Sequence, residues 1–340
     1  MEPIELSIVI LSWNTLELTR ACLRSLREDT TRHAREVIVI DNASHDGSAE
    51  MIESEFPEVR LVVNPENRLY AAANNQGARR SRGRLLCLMN SDIEVRPGAL
   101  DRLVDFLDAH PDYGAVSPKL LNPDGTVQPA CCRFPTLADP VADSTFAGGF
   151  PPGSWFIARR AMADFDHLTS RDVDQPPAAC FLMRREEYLS MGGFDEELSL
   201  YFNDVDLCLR LWQRGRRIRF LAEAEVFHLG GASTRALRNR AVNLLWLRNR
   251  ESFFAKHYPR VGKPWLRTVL ALHGTELLAR ISLGPRPSAQ ARAAQREVLA
   301  QLRECVAPAT DPGWSDPDTV PETGGHPPSR AAGPSERGDA

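Results

Sequence analysis

Residues 85–92 read LLCLMNSD, an unbroken apolar run from Leu85 to Met89 that stops at Asn90-Ser91-Asp92. A short run of this kind, ended by turn formers, marks a strand buried on both faces. Earlier runs have the same character: Leu6–Ser12 (LSIVILS), Val37–Ile40 (VIVI) and Val59–Val63. Between them, Leu18, Cys22 and Leu26 fall at helical spacing within Thr15–Leu26, and helices are expected over Ser48–Phe56, Asn74–Arg82 and Gly98–His110. Strand and helix thus alternate through about the first 110 residues, which implies parallel βαβ units with right-handed crossovers. The fold class expected is α/β, with a Rossmann-like, mostly parallel sheet flanked by helices.

Polar residues collect after each strand: Ser12-Trp13-Asn14, Asp41-Asn42, Asn64 to Asn67, and Asn90-Ser91-Asp92. In open α/β sheets the ligand crevice lies outside the carboxyl ends of the strands, so these clusters fall where a nucleotide would sit. No GxGxxG follows the first strand and no GxxxxGK[ST] occurs, so the usual dinucleotide and P-loop signatures are missing. Asn-Ser-Asp could simply end a strand. A hard cation such as Mg²⁺, however, takes one or two carboxylates and completes its shell with water and substrate phosphates, which suits a single Asp92 at the rim of a sheet.

A second acidic region lies in residues 181–212, FLMRREEYLSMGGFDEELSLYFNDVDLCLRLW. A strand over Ala178–Arg184 and a helix over Arg185–Met191 lead to Asp195, Glu196 and Glu197, then to a helix over Asp204–Gln213. Asn203 reads as its N-cap with Asp206 three residues on, nearly a capping box. The helix dipole at that end favours an ionised Asp204, the state a general base requires. Arg217–His228 is strand-like; a lone histidine at a strand end is ordinarily structural, but paired with Asp92 His228 becomes a metal or phosphate contact. Asp41 either caps its turn or accepts hydrogen bonds from a base or ribose.

Bulk properties narrow the classes. The 340 residues carry a net charge of −4 with acids and bases interspersed, leaving no nucleic-acid footprint. Seven cysteines without a CxxC favour buried thiols in a reducing compartment. No signal peptide is read, and no stretch approaches the roughly 18–20 apolar residues of a spanning helix. The expected location is cytoplasmic, at most peripheral to the inner face of the cell membrane. Asp139–Pro177 is rich in Pro, Gly and Asp and reads as one long functional loop. Asn243–His257 is helical; its stripe of Leu244, Leu245, Trp246, Leu247, Phe253 and Phe254 with Arg248 and Arg250 is expected to pack on the core rather than lie on a membrane.

Taken in order, SIVILSWN, VIVIDNASHDGS, NRLYAAANNQG, LLCLMNSDIEV, DGTVQPACCRFPT, GGFDEELSLYFNDVDLCLRLWQRG and HLGGAS resemble the family 2 glycosyltransferases of the GT-A fold, especially a rhamnosyltransferase-like branch that builds cell-surface polysaccharides. The resemblance covers about residues 5–260. It implies an inverting, metal-dependent transfer of a sugar, rhamnose being suggested by the branch, from a dTDP- or UDP-sugar donor to a hydroxyl of a saccharide or lipid-linked acceptor. By that likeness Asp92 with His228 holds a divalent cation (Mg²⁺ or Mn²⁺), Asp204 is the general base, and Ser12, Asn14, Asp41, Asn42, Asn67, Asn74, Asn90 and Ser91 line the nucleotide-sugar site. The domains implied are 1–235 (nucleotide-binding half about 1–110, acceptor half about 111–235), a helical extension over 236–305, and a disordered tail over 306–340. Two departures stand out: Asn203 where the family commonly has Glu, and Leu69 where it commonly has Gly. The first motivates an alternative, a degenerate GT-A domain that binds nucleotide-sugar or a partner without catalysis. A nucleotidyltransferase ranks last, since Ser12-Trp13-Asn14-Thr15 supplies no basic, Gly-rich loop.

Overall fold

A computed structural model describes residues 3–144, 153–229 and 240–283, with isolated positions at 296 and 300. Strand β1 (Leu6–Ser12) sits between β2 (Arg35–Asp41) and β4 (Leu85–Asn90), and β3 (Arg60–Val63) lies outside β2, all four parallel. The helices α1 (Leu16–Glu28), α2 (Ser48–Glu55) and α3 (Leu69–Arg80) make the crossovers. Ile8, Ile10, Ile38, Ile40, Leu86 and Leu88 are fully buried, as strands covered on both faces require.

Past β4 the sheet becomes mixed. After β5 (Ile93–Val95) and α4 (Ala99–Ala109), strand β6 (Tyr113–Leu121) enters the sheet beyond β8 (Cys180–Arg184), which runs antiparallel to β4 with Met89 opposite Cys180. β6 pairs in parallel with β9 (Arg217–His228), whose end pairs with β5 so that Ile93 faces His228. The strand order is β3-β2-β1-β4-β8-β6-β9-β5, and β7 (Arg171–Asp172) pairs β9. β6 has no counterpart among the sequence expectations, because Pro118 and Lys119 break its apolar run where the register with β9 also shifts.

Three expectations need correction. Asp139–Pro177 is not one loop: it contains α5 (Asp139–Ser144), α6 (Gly153–Arg160) and β7, and residues 145–152 lie outside the described residues. Ion pairs from Arg160 to Asp139 and Asp143 hold the two short helices, which is why no apolar period announced them. α3 begins at Leu69 rather than Asn74, over a turn earlier. In α8 (Asn203–Gln213) the cap residue is Phe202, in a left-handed conformation (φ 64°), so Asn203 is the first helical residue and the Asn203–Asp206 capping box does not form.

Asp206 is instead fully buried and held by Arg210 Nε at 2.7 Å, Lys256 Nζ at 2.8 Å and His257 Nε2 at 2.7 Å. The last two lie on α9 (Arg240–His257), which the expected apolar packing also binds: Phe253 and Phe254 are buried against Leu198. Helix α7 (Arg185–Ser190) leads into Gly192-Gly193, where a Cβ on Gly193 would overlap Asn75 Oδ1 and φ is +74°. α10 (Gly262–Leu283) closes the described chain, and no described helix is long and apolar enough to cross a membrane. The expected tail over 306–340 lies outside the described residues.

Although burial raises it, its hydrogen bond to His257 and its pairing with Arg210 and Lys256 bring the Asp206 carboxyl down from its ordinary value of 3.8 to about 2. A carboxyl depressed on folding contributes stability that is complete above its unfolded value and is lost as pH falls toward its folded value. Asp206→Asn is therefore expected to lose about 2 kcal/mol at pH 7 and to show a flatter decline between about pH 4 and pH 2 than the parent, read by denaturant titration across that range. Parallel pH profiles in the two proteins would contradict this account.

Candidate nucleotide-sugar and cation site

The carboxyl ends of β1, β2 and β4 meet at one rim, at the point where β1 has neighbours running to either side. Ser12 pairs with Asp41 and Leu11 with Asn90 across that rim. Because β8 is antiparallel, the segment that precedes it arrives at the same place, and the Asn90 amide donates to Ala179 O at 2.8 Å. The amide of Leu229 donates to Asp92 O at 3.0 Å, which brings the end of β9 there as well.

Asp92 and His228 stand together: His228 Nε2 lies 3.5 Å from Asp92 Oδ1. Burial pushes the imidazole below its ordinary value, opposed by Asp92, so the ring favours the neutral form a cation needs. His228 Nδ1 is 2.6 Å from Gln128 Oε1, and Gln128 Nε2 donates to Asn122 Oδ1 at 3.1 Å. With its amide so oriented, Gln128 accepts the Nδ1 proton and leaves the Nε2 lone pair facing Asp92, the usual outer support of a metal-bound imidazole. One carboxylate and one neutral imidazole fit a divalent cation whose remaining ligands are phosphate oxygens and water. Among the described residues no cluster of three or more His, Cys, Asp or Glu offers a closed protein cage.

The other candidates divide by what their side chains already do. Asp41 is fully buried; its Oδ1 accepts from the Ser44 amide at 2.9 Å, and its Oδ2 has no hydrogen-bond partner in the protein. Asn74 donates to Tyr70 O at 2.9 Å and keeps a buried Oδ1 unpartnered. These orphaned acceptors suit donors from a ligand, because a buried acceptor left unmet costs about 1–3 kcal/mol. Ser12 and Ser91 are turned inward, joined through Thr15 and Thr19 by hydroxyl contacts of 3.0–3.3 Å. Asn42 donates to Asn67 Oδ1 at 2.6 Å and accepts from Asn64 and from the Arg68 amide. Asn14 Oδ1 accepts from the His45 amide at 2.8 Å. Asn90 Oδ1 lies 3.3 Å from the Tyr70 hydroxyl, which donates at 2.9 Å to Ala178 O.

Asp204, at the start of α8, accepts from the Val205 amide at 2.8 Å and from Gln175 Nε2 at 3.0 Å. The helix dipole was expected to keep it ionised; instead burial dominates and pushes its carboxyl above the ordinary value, with the Val205, Ala178 and Gln175 donors pulling the other way. A raised carboxyl is better matched to accepting a proton near neutral pH than an ordinary one. Sequence reasoning missed Gln175 and Gln128. Gln128 lay inside the quoted DGTVQPACCRFPT, but neither glutamine carries a signal of its own without tertiary contacts.

The family model described as glycosyl transferase family 2 matches residues 7–130. An N-acetylglucosaminyl-diphospho-decaprenol L-rhamnosyltransferase of Mycobacterium tuberculosis is 30% identical over 210 residues, 58% of this chain and 67% of that protein. This chain belongs to glycosyl transferase family 2. It is a glycosyltransferase, rhamnosyltransferase-like. The O-antigen biosynthesis protein RfbC of Myxococcus xanthus is 33% identical over 68% of this chain, though over only 18% of its own length. A mannosyltransferase from Pyrobaculum calidifontis, solved in complex with GDP-Man and Mn²⁺, superposes with a TM-score of 0.52 at 17% identity, covering 90% of this chain and 86% of the other. That likeness shows the fold, GT-A.

The family's usual Gly at position 69 has a physical reason here. Leu69 is held at φ 60°, with its amide donating to Asn67 Oδ1 at 2.9 Å. A left-handed conformation costs an L-residue roughly 1–2 kcal/mol, most for β-branched side chains. Leu69→Gly is expected to match or exceed the parent in stability and Leu69→Val to lose about 1–2 kcal/mol, measured by thermal melting. A valine variant as stable as the glycine one would remove the strain from this account.

Proposed function

We propose that the chain moves a sugar, with inversion, from a nucleotide-diphosphate donor to a hydroxyl of a saccharide or lipid-linked acceptor, and that Asp204 is its general base. The observation that carries the reading is the convergence of Asp41, the Asp92–His228 pair and Asp204 on one rim of the sheet, with Tyr70 spanning from Asn90 to Ala178 between them. Asp41 Oδ2 and Asn74 Oδ1 offer acceptors to the donor nucleotide. Asp92 and His228 would hold a divalent cation, which when bound neutralises charge on the departing diphosphate. The acceptor oxygen attacks the anomeric carbon as the bond to the diphosphate breaks, and its proton passes to Asp204. Rhamnose as the sugar is supported by the activity named for the Mycobacterium relative, and a lipid-linked acceptor by the same name.

Asp204→Asn is expected to lower transfer roughly a hundred- to ten-thousand-fold while sparing donor binding. Full activity in that variant would sink the assignment. In thermal-shift measurements with dTDP- and UDP-sugars, Mn²⁺ or Mg²⁺ should enhance the shift, reaching about 2.7 kcal/mol at ligand about a hundredfold above Kd. Asp92→Ala should abolish the metal dependence. Tight donor binding with no transfer to any acceptor would favour the degenerate binding module, for which the loss of an acid at Asn203 is the motivating feature.

Peripheral attachment to a membrane that carries the acceptor has its own support. Val261 just before α10, and Trp265 and Leu272 along it, are exposed at helical spacing, beside the exposed Lys263. Lipid vesicles with anionic headgroups should co-sediment the protein, and Val261→Glu with Leu272→Glu should weaken that association. Unchanged sedimentation would remove this face from the account.

A further inference from the structure

Gln175, Pro176, Pro177 and Ala178 form a short bridge between the segment after β6 and the start of β8. The backbone of Gln175 pairs with Cys132 in both directions, its amide donating to Cys132 O at 3.1 Å and accepting at its own oxygen from the Cys132 amide at 2.8 Å. At the other end, Ala178 O accepts from the Tyr70 hydroxyl at 2.9 Å. The two prolines between have fixed φ and no N–H, so the bridge is stiff and has few donors of its own. The donors it does present turn toward Asp204: Gln175 Nε2 at 3.0 Å from Oδ2, and the Ala178 amide. The Val205 amide takes Oδ1 at 2.8 Å.

We propose that Gln175 is a positioning residue for Asp204, its buried carboxamide fixing the plane of the carboxylate so that a free lone pair faces the acceptor hydroxyl. This rests on the reading of Asp204 as the base. A carboxylate has about four acceptor sites, so one donor on each oxygen fixes its rotation and still leaves room for a proton. Gln175 is 93% buried, since only 7% of its surface is exposed, and its Nε2 also donates to Pro176 O at 3.1 Å, which anchors the amide against rotation. The groups that face Asp204 from neighbouring elements are Tyr70 on α3, Cys132 after β6 with Arg160 beside it, and Cys208 on α8 itself. Burial raises the phenol and both thiols, so Asp204 is the group among these that takes up a proton as the pH falls. A hydrogen bond to the charged form favours that form, so removing the Gln175 donor must raise the pH at which Asp204 takes a proton.

The test uses the full chain labelled with ¹³C at aspartate carboxyls and needs no substrate. The resonance absent from Asp204→Asn identifies the group, and its titration is followed in the parent, in Gln175→Met, which keeps the volume without the donor, and in Gln175→Glu. The expected result is a midpoint about one pH unit higher in the methionine variant and higher still in the glutamate variant, where two carboxylates meet. Should one variant fail to fold, the other still decides. A midpoint unmoved in whichever variants fold overturns the inference. Transfer assays on the same proteins separate the two claims: an active Asp204→Asn defeats the base reading, whereas an inactive Asp204→Asn beside an unshifted Gln175 variant defeats the positioning role alone. With both claims correct, Gln175→Met loses kcat more than it raises KM, and the acid limb of its pH profile moves upward.

Discussion

Everything at the candidate site depends on the reversal of chain direction where β8 pairs with β4. Had β8 entered parallel, residues 175–179 would lie at the far edge of the sheet, one strand length from the nucleotide rim. With Met89 opposite Cys180, the antiparallel ladder delivers the Gln175–Ala178 bridge beside Asn90 and places Asp204 within its reach. The parallel half supplies the orphaned acceptors and Asp92. The half after the reversal supplies His228 and Asp204.

Beneath the rim runs a continuous polar layer. Ser12, Thr15, Thr19 and Ser91 share hydroxyl contacts, and Asn42, Asn64, Asn67 and Gln76 exchange amide hydrogen bonds around the start of α3. Buried polar groups of this kind stabilise only when each is met, and when met they hold one arrangement against others. Here they set the ends of β1, β2 and β4 at a fixed height. Asp41 and Asn74 then present their unpaired oxygens from a rigid floor. Several residues read from sequence as ligand contacts also carry hydrogen bonds of this floor.

The parallel core was legible because buried strands leave unbroken apolar runs and their crossover helices leave a helical period, as in LSIVILS and LLCLMN. β6 was not, since Pro118 and Lys119 interrupt it, and α5 and α6 were not, since ion pairs rather than an apolar face hold them. At the site, Asp92, His228 and Asp204 could be named from their positions at element ends and from the family resemblance. The direction in which Asp204 is shifted could not, because it follows from burial and from donors on a distant segment. Gln128 and Gln175 act only through tertiary contacts, and a glutamine in a loop has no pattern of its own.

The Asp206 cluster has a consequence for the order in which the chain is made. α8 carries Asp206 and Arg210, but Lys256 and His257 follow some fifty residues later, on α9. A nascent chain that has emerged only as far as β9 holds the carboxylate with one of its three side-chain partners. Burying it in that state is costly, so docking of α8 gains its full stability only after α9 has been synthesised. Asp204 stands two residues before Asp206, and it would therefore reach its final position late on the ribosome, after the nucleotide half has folded.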